Sequence, residues 1–552
     1  MPVKTYIYLL FATLLISGCK QNSQESNVQD IGLLRGDITL CGDGGFGDVD
    51  FAINCSIDVQ ETFNLAIALL HSFEYDEAEK AFAQVIDADP DCAMAYWGVA
   101  MSNFHALWLQ SGTDYLTKGA DILKASKSIS KTEKEEDYIN AISGFYKDWE
   151  NKSHQERISL FEKNMKQLYF KYDNDKEAAI FYALALRAAS DPSDKTYKNQ
   201  IESGKILESL YPDQPNHPGI AHYIIHNYDY PELAHLALPT ARRYAEIAPA
   251  SAHAQHMPSH IFTRLGLWQE SINSNLNSTS SALCYSQSID EIGHWDEELH
   301  GMDYLVYAYL QIGDNKKAQE QQDYLNTFKK VFPANFKIAY SAASIPARIA
   351  LENKDWKKAS SLEFPPLEID WNKFPWQKSI IHFARAMGFV RLGDIENTKS
   401  ELATLKLNHE ALVEISDVYK ANQVLNQIHI IEAWIYFAKG EVQEGLALME
   451  KAANFEYHTS KHPVTPGEVL PAGELYGDML LAANKAEEAL IAYEFDLSQH
   501  PNRFNGLYGA ASAAKLISDM NTVRKYSSIL IQQCEGIDSG RKELVNARND
   551  ID

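Results

Sequence analysis

The stretch LLHSFEYDEAEKAFAQVIDADPDCAMAYWGVAMS (Leu69–Ser102) carries two helix-forming segments separated by a proline. Ala78 and Phe82 stand one turn apart on the same helix face, and Pro90 follows two turns later. The small residue lets a neighbouring helix approach, and the aromatic ring fills the gap beside it. Proline ends the segment because it has no N–H and clashes with the preceding turn. Asp91 then opens a second unit, in which Trp97 sits next to Gly98 at a tight packing position. This spacing specifies antiparallel helices in close contact. Such a pair cannot bury its apolar faces alone and needs stacked neighbours.

The same spacing returns near the C-terminus in Gly477, Ala489, Tyr493 and Pro501, and Tyr508-Gly509 opens a further unit. The window Val59–Pro90 matches the register of a tetratricopeptide (TPR) repeat. Between the two ends, turns at Gly313-Asp314, Gly393-Asp394 and Gly440-Glu441 each follow an aromatic-rich helix (YLVYAYLQ, HFARAMGFVRL, IIEAWIYFAK). Strand signals are scarce. The expected fold class is all-α: a TPR-like antiparallel helix-pair solenoid, with the first helix of each pair lining a concave face. Low-propensity breaks fall near Asp191–Pro218, Pro333–Phe336, Glu363–Pro375 and His462–Pro471.

The N-terminus reads as a targeting segment. Lys4 precedes an apolar run, Tyr6–Ile16, that is too short to span a bilayer and ends in Leu15-Ile16-Ser17-Gly18-Cys19. This resembles a bacterial lipobox, in which the cysteine sulfur receives a diacylglyceryl group. The expected organisation is a lipoprotein signal peptide over 1–18, an acylated flexible tether over 19–35 and a Gly-rich loop segment over 36–58. Repeats follow over 59–190, then a His-rich set over 191–330, degenerate helical repeats over 331–470 and C-terminal TPR repeats over 471–552. Lipid attachment at Cys19 places the chain at the outer membrane, facing the periplasm or the surface. Export permits disulfides, and Cys41 with Cys55, flanking the glycines 42–47, is the expected bridge.

The chain has 552 residues, 45% of them apolar, and a formal charge of −25. That length suits an extended array better than one compact core. The acidic body disfavours nucleic acid as a partner. Acidic runs at Asp76–Glu79 and Glu133–Asp137 read as solvated helix faces.

Histidine is unevenly spread: nine of the 18 lie between His217 and His300. His222 and His226 stand four apart in GIAHYIIHNYD, as do His256 and His260 in AHAQHMPSHIF. Residues four apart on a helix share a face, which is how one helix offers two imidazoles to one metal. His222 and His256 are one repeat period apart, so the two pairs are expected side by side on the concave wall. His300 and His105 lie on other first helices, and Asp229, Glu297, Glu298 and Asp303 offer carboxylates nearby. An imidazole set of this kind suits Zn, Cu or Fe. The alternative is structural: histidines on packed helices donate to carbonyls of neighbouring helices, and Pro258 stands ready to kink the second pair out of alignment. No HExxH, Gly-rich phosphate loop with lysine, GxSxG elbow or CxxC pair is present.

The segments Leu69–Ser102, Asn216–Asp229, Ala241–Trp268 and His462–Leu481 resemble a bacterial family of TPR-repeat proteins of undefined activity, in its lipoprotein form. The resemblance implies the fold and carries no mechanism. Two functions are expected to compete. One is a membrane-anchored module binding a protein, peptide or ligand on its concave face, accessory to nutrient or polysaccharide utilisation. The other is a metal-dependent hydrolytic or oxidative enzyme using His222, His226, His256, His260, His300 and His105.

Overall fold

The computed structural model describes residues 28, 31–39, 41, 44–107, 112–191, 194–289, 293–459 and 461–551. The leader and Cys19 lie outside the described residues. The described chain is an all-α array of antiparallel helix pairs; its strands are two-residue segments, His294–Trp295 and Val331–Phe332, paired in parallel. Among the described residues no helix is long and apolar enough to cross a membrane.

The packing logic of the opening stretch is visible in the glycines. Helix Tyr75–Ala88 lays the Phe82 ring where a Cβ on Gly98 of helix Ala93–Ser102 would stand, so only glycine admits that approach. Tyr493 fills the corresponding space against both Gly477 and Gly509. Phe82 and Tyr493 are fully buried. Removing such a ring leaves a cavity and costs about 3–5 kcal/mol.

The expected turns follow the same economy of local rules. Gly313, Gly393 and Gly440 take left-handed φ values of 74°, 83° and 84° directly after the helices Asp296–Gln311, Pro375–Leu392 and Val418–Ala438. Asp314 and Asp394 then cap the next helices by accepting from the amides of Lys317 and Asn397. One expected break is partly helical: Lys198–Leu210 forms a helix inside the 191–218 window.

Residues 44–56 carry no helix or strand and run along the first helices with Phe46 and Phe51 buried. The acidic runs hold this segment and the one before it in place. Glu79 accepts from the Leu34 amide, Glu77 from the Thr39 amide and Glu135 from the Asn54 amide, each at 2.8 Å. Glu77, Glu79 and Glu135 are therefore buried acceptors and not the solvated faces expected of them. The Cys41–Cys55 bridge is likewise corrected. Cys41 bonds to Cys284 and Cys55 to Cys92, with Cα separations of 5.8 and 5.0 Å, because each lies beside a partner from a distant helical region and not beside the other. Cys534 is free and buried.

Buried apolar residues form three clusters, spanning Leu33–Phe262, Trp268–Leu367 and Tyr340–Ala547. The last closes back on the first two. Trp268 donates to the Asn502 carbonyl, and Arg503 reaches Tyr307, Glu352 and Glu474. Arg348 donates to the carbonyls of Gly467 and Glu468 in the loop that follows helix Val442–His458.

Candidate metal centre

Four short elements bring the histidines together. Helix Pro218–Tyr228 carries His222 and His226; Ala252–His256 carries His253 and His256; Pro258–Arg264 carries His260; Asp296–Gln311 carries His300. Proline at position 258 does break the helix, but Met257 keeps a right-handed helical conformation across the break. The shared face survives, and the Nε2 atoms of His256 and His260 stand 3.0 Å apart.

The imidazoles sort into two triads, His222/His226/His253 and His256/His260/His300. Within each triad, one nitrogen per ring lies within 4.8 Å of the others. The triads are neighbours: ring centroids of His226 and His260 are 6.3 Å apart, and those of His253 and His256 are 6.4 Å apart. All six residues are at most 3% exposed, so they lie inside the protein and not on an open concave wall. His105 is not among them. Its backbone turns at φ 51° just past helix Ala93–Ser102, and its ring packs against Tyr75 and Tyr115, at 4.4 and 4.7 Å.

The second nitrogens decide the chemistry. His260 Nδ1 lies 3.0 Å from an Asp229 oxygen, and that carboxylate also accepts from Arg264 and Lys461, each at 2.9 Å. The two cations hold Asp229 well below the ordinary carboxylate range despite its burial. An ionised carboxylate only accepts, so His260 carries its proton on Nδ1. His256 Nδ1 lies 2.6 Å from Asn275 Oδ1, whose amide nitrogen already donates to the Ser271 carbonyl, so His256 is protonated on Nδ1 as well. His222 Nδ1 donates to the His71 carbonyl at 2.7 Å.

In the neutral rings of His222, His256 and His260, Nε2 is therefore a lone pair. The lone pairs of His256 and His260 face each other at 3.0 Å, and His222 Nε2 faces His253 Nε2 at 3.2 Å. His300 Nε2 is buried with no hydrogen-bond partner. Burial pushes the pKa values of His222, His226, His256 and His300 well below the ordinary imidazole value, and that of His260 to about 4. These rings are neutral at physiological pH, and neutral imidazole is the metal-binding form. Two nitrogens on one tetrahedral metal, with bonds of about 2.0–2.1 Å, stand roughly 3.3 Å apart. The Nε2 separations approach that value. Orientation of a ligating histidine by a carbonyl or carboxylate on its other nitrogen is the usual outer-shell arrangement of metal sites.

The remaining sequence candidates take supporting or separate roles. Asp229 orients His260. Glu297 stands 3.7 Å from His253 Nδ1 and is paired with Lys337. Glu298 bonds to His294 and Tyr324, and Asp303 to Arg348 and Ser344. Sequence reasoning passed over His253, which stands three residues before His256, and Asn275, which carried no signal of its own. The Tyr304 hydroxyl lies 3.4 Å from both nitrogens of His260.

Two cavities lie beside the centre. One of about 260 Å³ reaches Asp229, Arg264 and Lys461, and one of about 320 Å³ lies across Tyr230, Arg264 and Lys461. No triad imidazole lines either cavity.

No protein-family model matches the sequence, and a search of curated proteins finds no match. Among solved structures, a monomeric mutant of IFIT1 with the capped RNA m7Gppp-AAAA is similar over 87% of this chain and 98% of that one. The identity is 10% and the TM-score 0.34.

Proposed function

We propose that this chain is a metalloprotein: a helical-repeat scaffold that holds two transition-metal ions in adjacent three-histidine sites, His222/His226/His253 and His256/His260/His300. One observation carries the proposal. His256 and His260 have committed their Nδ1 protons to Asn275 and Asp229, which leaves two buried Nε2 lone pairs facing each other at 3.0 Å, the arrangement a cation between them would satisfy, with the Tyr304 hydroxyl 3.4 Å from His260. A proton is disfavoured there because burial and the neighbouring rings oppose charging any one imidazole. All-imidazole ligation without thiolate favours Zn or Cu, and the absence of a carboxylate from either triad argues against the two-His, one-carboxylate iron arrangement. The metal would supply Lewis-acid or redox chemistry, and the protein's own residues orient the rings and exclude water. We place the chain in the cell envelope, tethered through Cys19 to the outer membrane, with hydrolytic or oxidative chemistry on a small molecule.

Metal analysis of protein purified without a His-tag tests the proposal. About two equivalents of Zn or Cu per chain are expected. Less than about 0.2 equivalents, unchanged after reconstitution with either metal, contradicts it.

A further inference from the structure

The 260 Å³ cavity is charged opposite to the protein around it. The chain as a whole carries 75 acidic and 50 basic residues. The cavity wall instead presents Arg187, Arg264, Lys420 and Lys461 against only Asp229 and Asp417. Asp417 is taken by Lys420, and Asp229 is shared among His260, Arg264 and Lys461. Arg187 has no carboxylate in ion-pair range among the described residues; its Nε donates to the His226 carbonyl and its guanidinium lies 5.8 Å from the Tyr230 ring centre. Of the carboxylates in the adjoining cavity, Glu468 is paired with His500 at 3.3 Å and Glu232 accepts from the Tyr197 hydroxyl at 3.0 Å. The Lys461 side chain is 4% exposed. Leu107, Ala188, Tyr419 and Pro463 supply apolar surface between the cations.

We propose that this cavity binds a small organic carboxylate, its charged end between Arg187, Lys420 and Lys461 and its apolar body against Tyr419 and Leu107. The unmatched positive charge calls for an anion, and a guanidinium is suited to grip a carboxylate through paired N–H donors. The apolar walls distinguish an organic anion from an inorganic one. Burial, with Arg264 beside it, pushes the Lys461 ammonium down to about 8 although Asp229 opposes this, and an arriving carboxylate would relieve that crowding. The site goes beyond the metal reading and does not depend on it. Asp229 lines the cavity and also bonds His260, whereas no triad imidazole lines it.

The test is calorimetric titration of benzoate, and separately of inorganic phosphate, into the full chain stripped of metal, so that failure of the metal proposal leaves this one intact. Saturable binding of one benzoate per chain is expected, with phosphate at least roughly tenfold weaker. Arg187→Gln and Lys420→Gln should each weaken benzoate by about tenfold, the loss of one charge-assisted hydrogen bond. Lys420 comes from a different helix, Val418–Ala438, and its side chain is 17% exposed, so it carries the test if Arg187→Gln melts early. No saturable benzoate binding, an unchanged affinity in Lys420→Gln, or phosphate binding as tightly as benzoate overturns the proposal.

Discussion

The protein contains two kinds of buried histidine cluster within one helix layer of each other. In the first, His71 and His217 flank Glu177. His71 accepts from the Tyr223 hydroxyl at 2.8 Å and donates to Glu177 at 3.0 Å. His217 donates to the same carboxylate at 2.8 Å and accepts the Ile220 amide that begins helix Pro218–Tyr228. Every ring nitrogen has a protein partner. In the second, His256, His260 and His222 each satisfy one nitrogen and turn the other toward a neighbouring imidazole. Both clusters are buried and rich in imidazole, and both have the spacing of a metal site. The difference lies in the second nitrogen. A saturated network is structure; an unsaturated one with fixed tautomers is a receptor for a cation.

The largest expected effect breaks the two clusters apart. His300→Ala and His226→Ala should each lower bound metal from about two equivalents to about one, whereas His71→Gln should leave it at about two. Mass spectrometry of metal content on untagged protein reads this directly. The next effect is on folding alone. Glu177→Ala leaves two buried imidazoles without their shared acceptor and should destabilise the chain by about 3–5 kcal/mol, seen in denaturant midpoints, with metal content unchanged. Asp229→Asn keeps the shape but replaces the carboxylate behind His260, and metal affinity measured by competition with a chelator should fall by about 10–100-fold.

The smallest effect concerns histidines outside both clusters. Burial pushes His154 and His105 to about 4 and His462 to about 3, all below the ordinary 6.5. Below pH 6.5 the unfolded chain takes up protons that the folded chain refuses. Stability is therefore full above that pH and declines as pH falls toward the folded values. These three histidines should make thermal midpoints of metal-stripped protein drop between pH 6.5 and 4.

What the sequence revealed and what it hid follow the same division between local and long-range. Ala78, Phe82 and Pro90 could be read as a helix pair because one turn of helix fixes their relation, and the left-handed glycines at 313, 393 and 440 are equally local signals. His222 with His226, and His256 with His260, are helix neighbours for the same reason. Which pairs share a focus is not local. His222 meets His253, from the next pair of helices, and His256 meets His300 across a third. Asn275, which fixes the His256 tautomer, comes from helix Trp268–Ser288 and has no motif around it. The disulfides were hidden for a related reason: their partners lie 243 and 37 residues away in sequence.

The central claim is that Nε2 lone pairs converge on metal in one kind of cluster and not in the other. Anomalous diffraction from crystals of the reconstituted protein, recorded above and below the metal edge, tests it most directly. Two peaks are predicted, one within about 2.0–2.1 Å of Nε2 atoms in each triad, and none at Glu177. A peak between His71, Glu177 and His217, or no peak in either triad at full metal loading, would contradict the account.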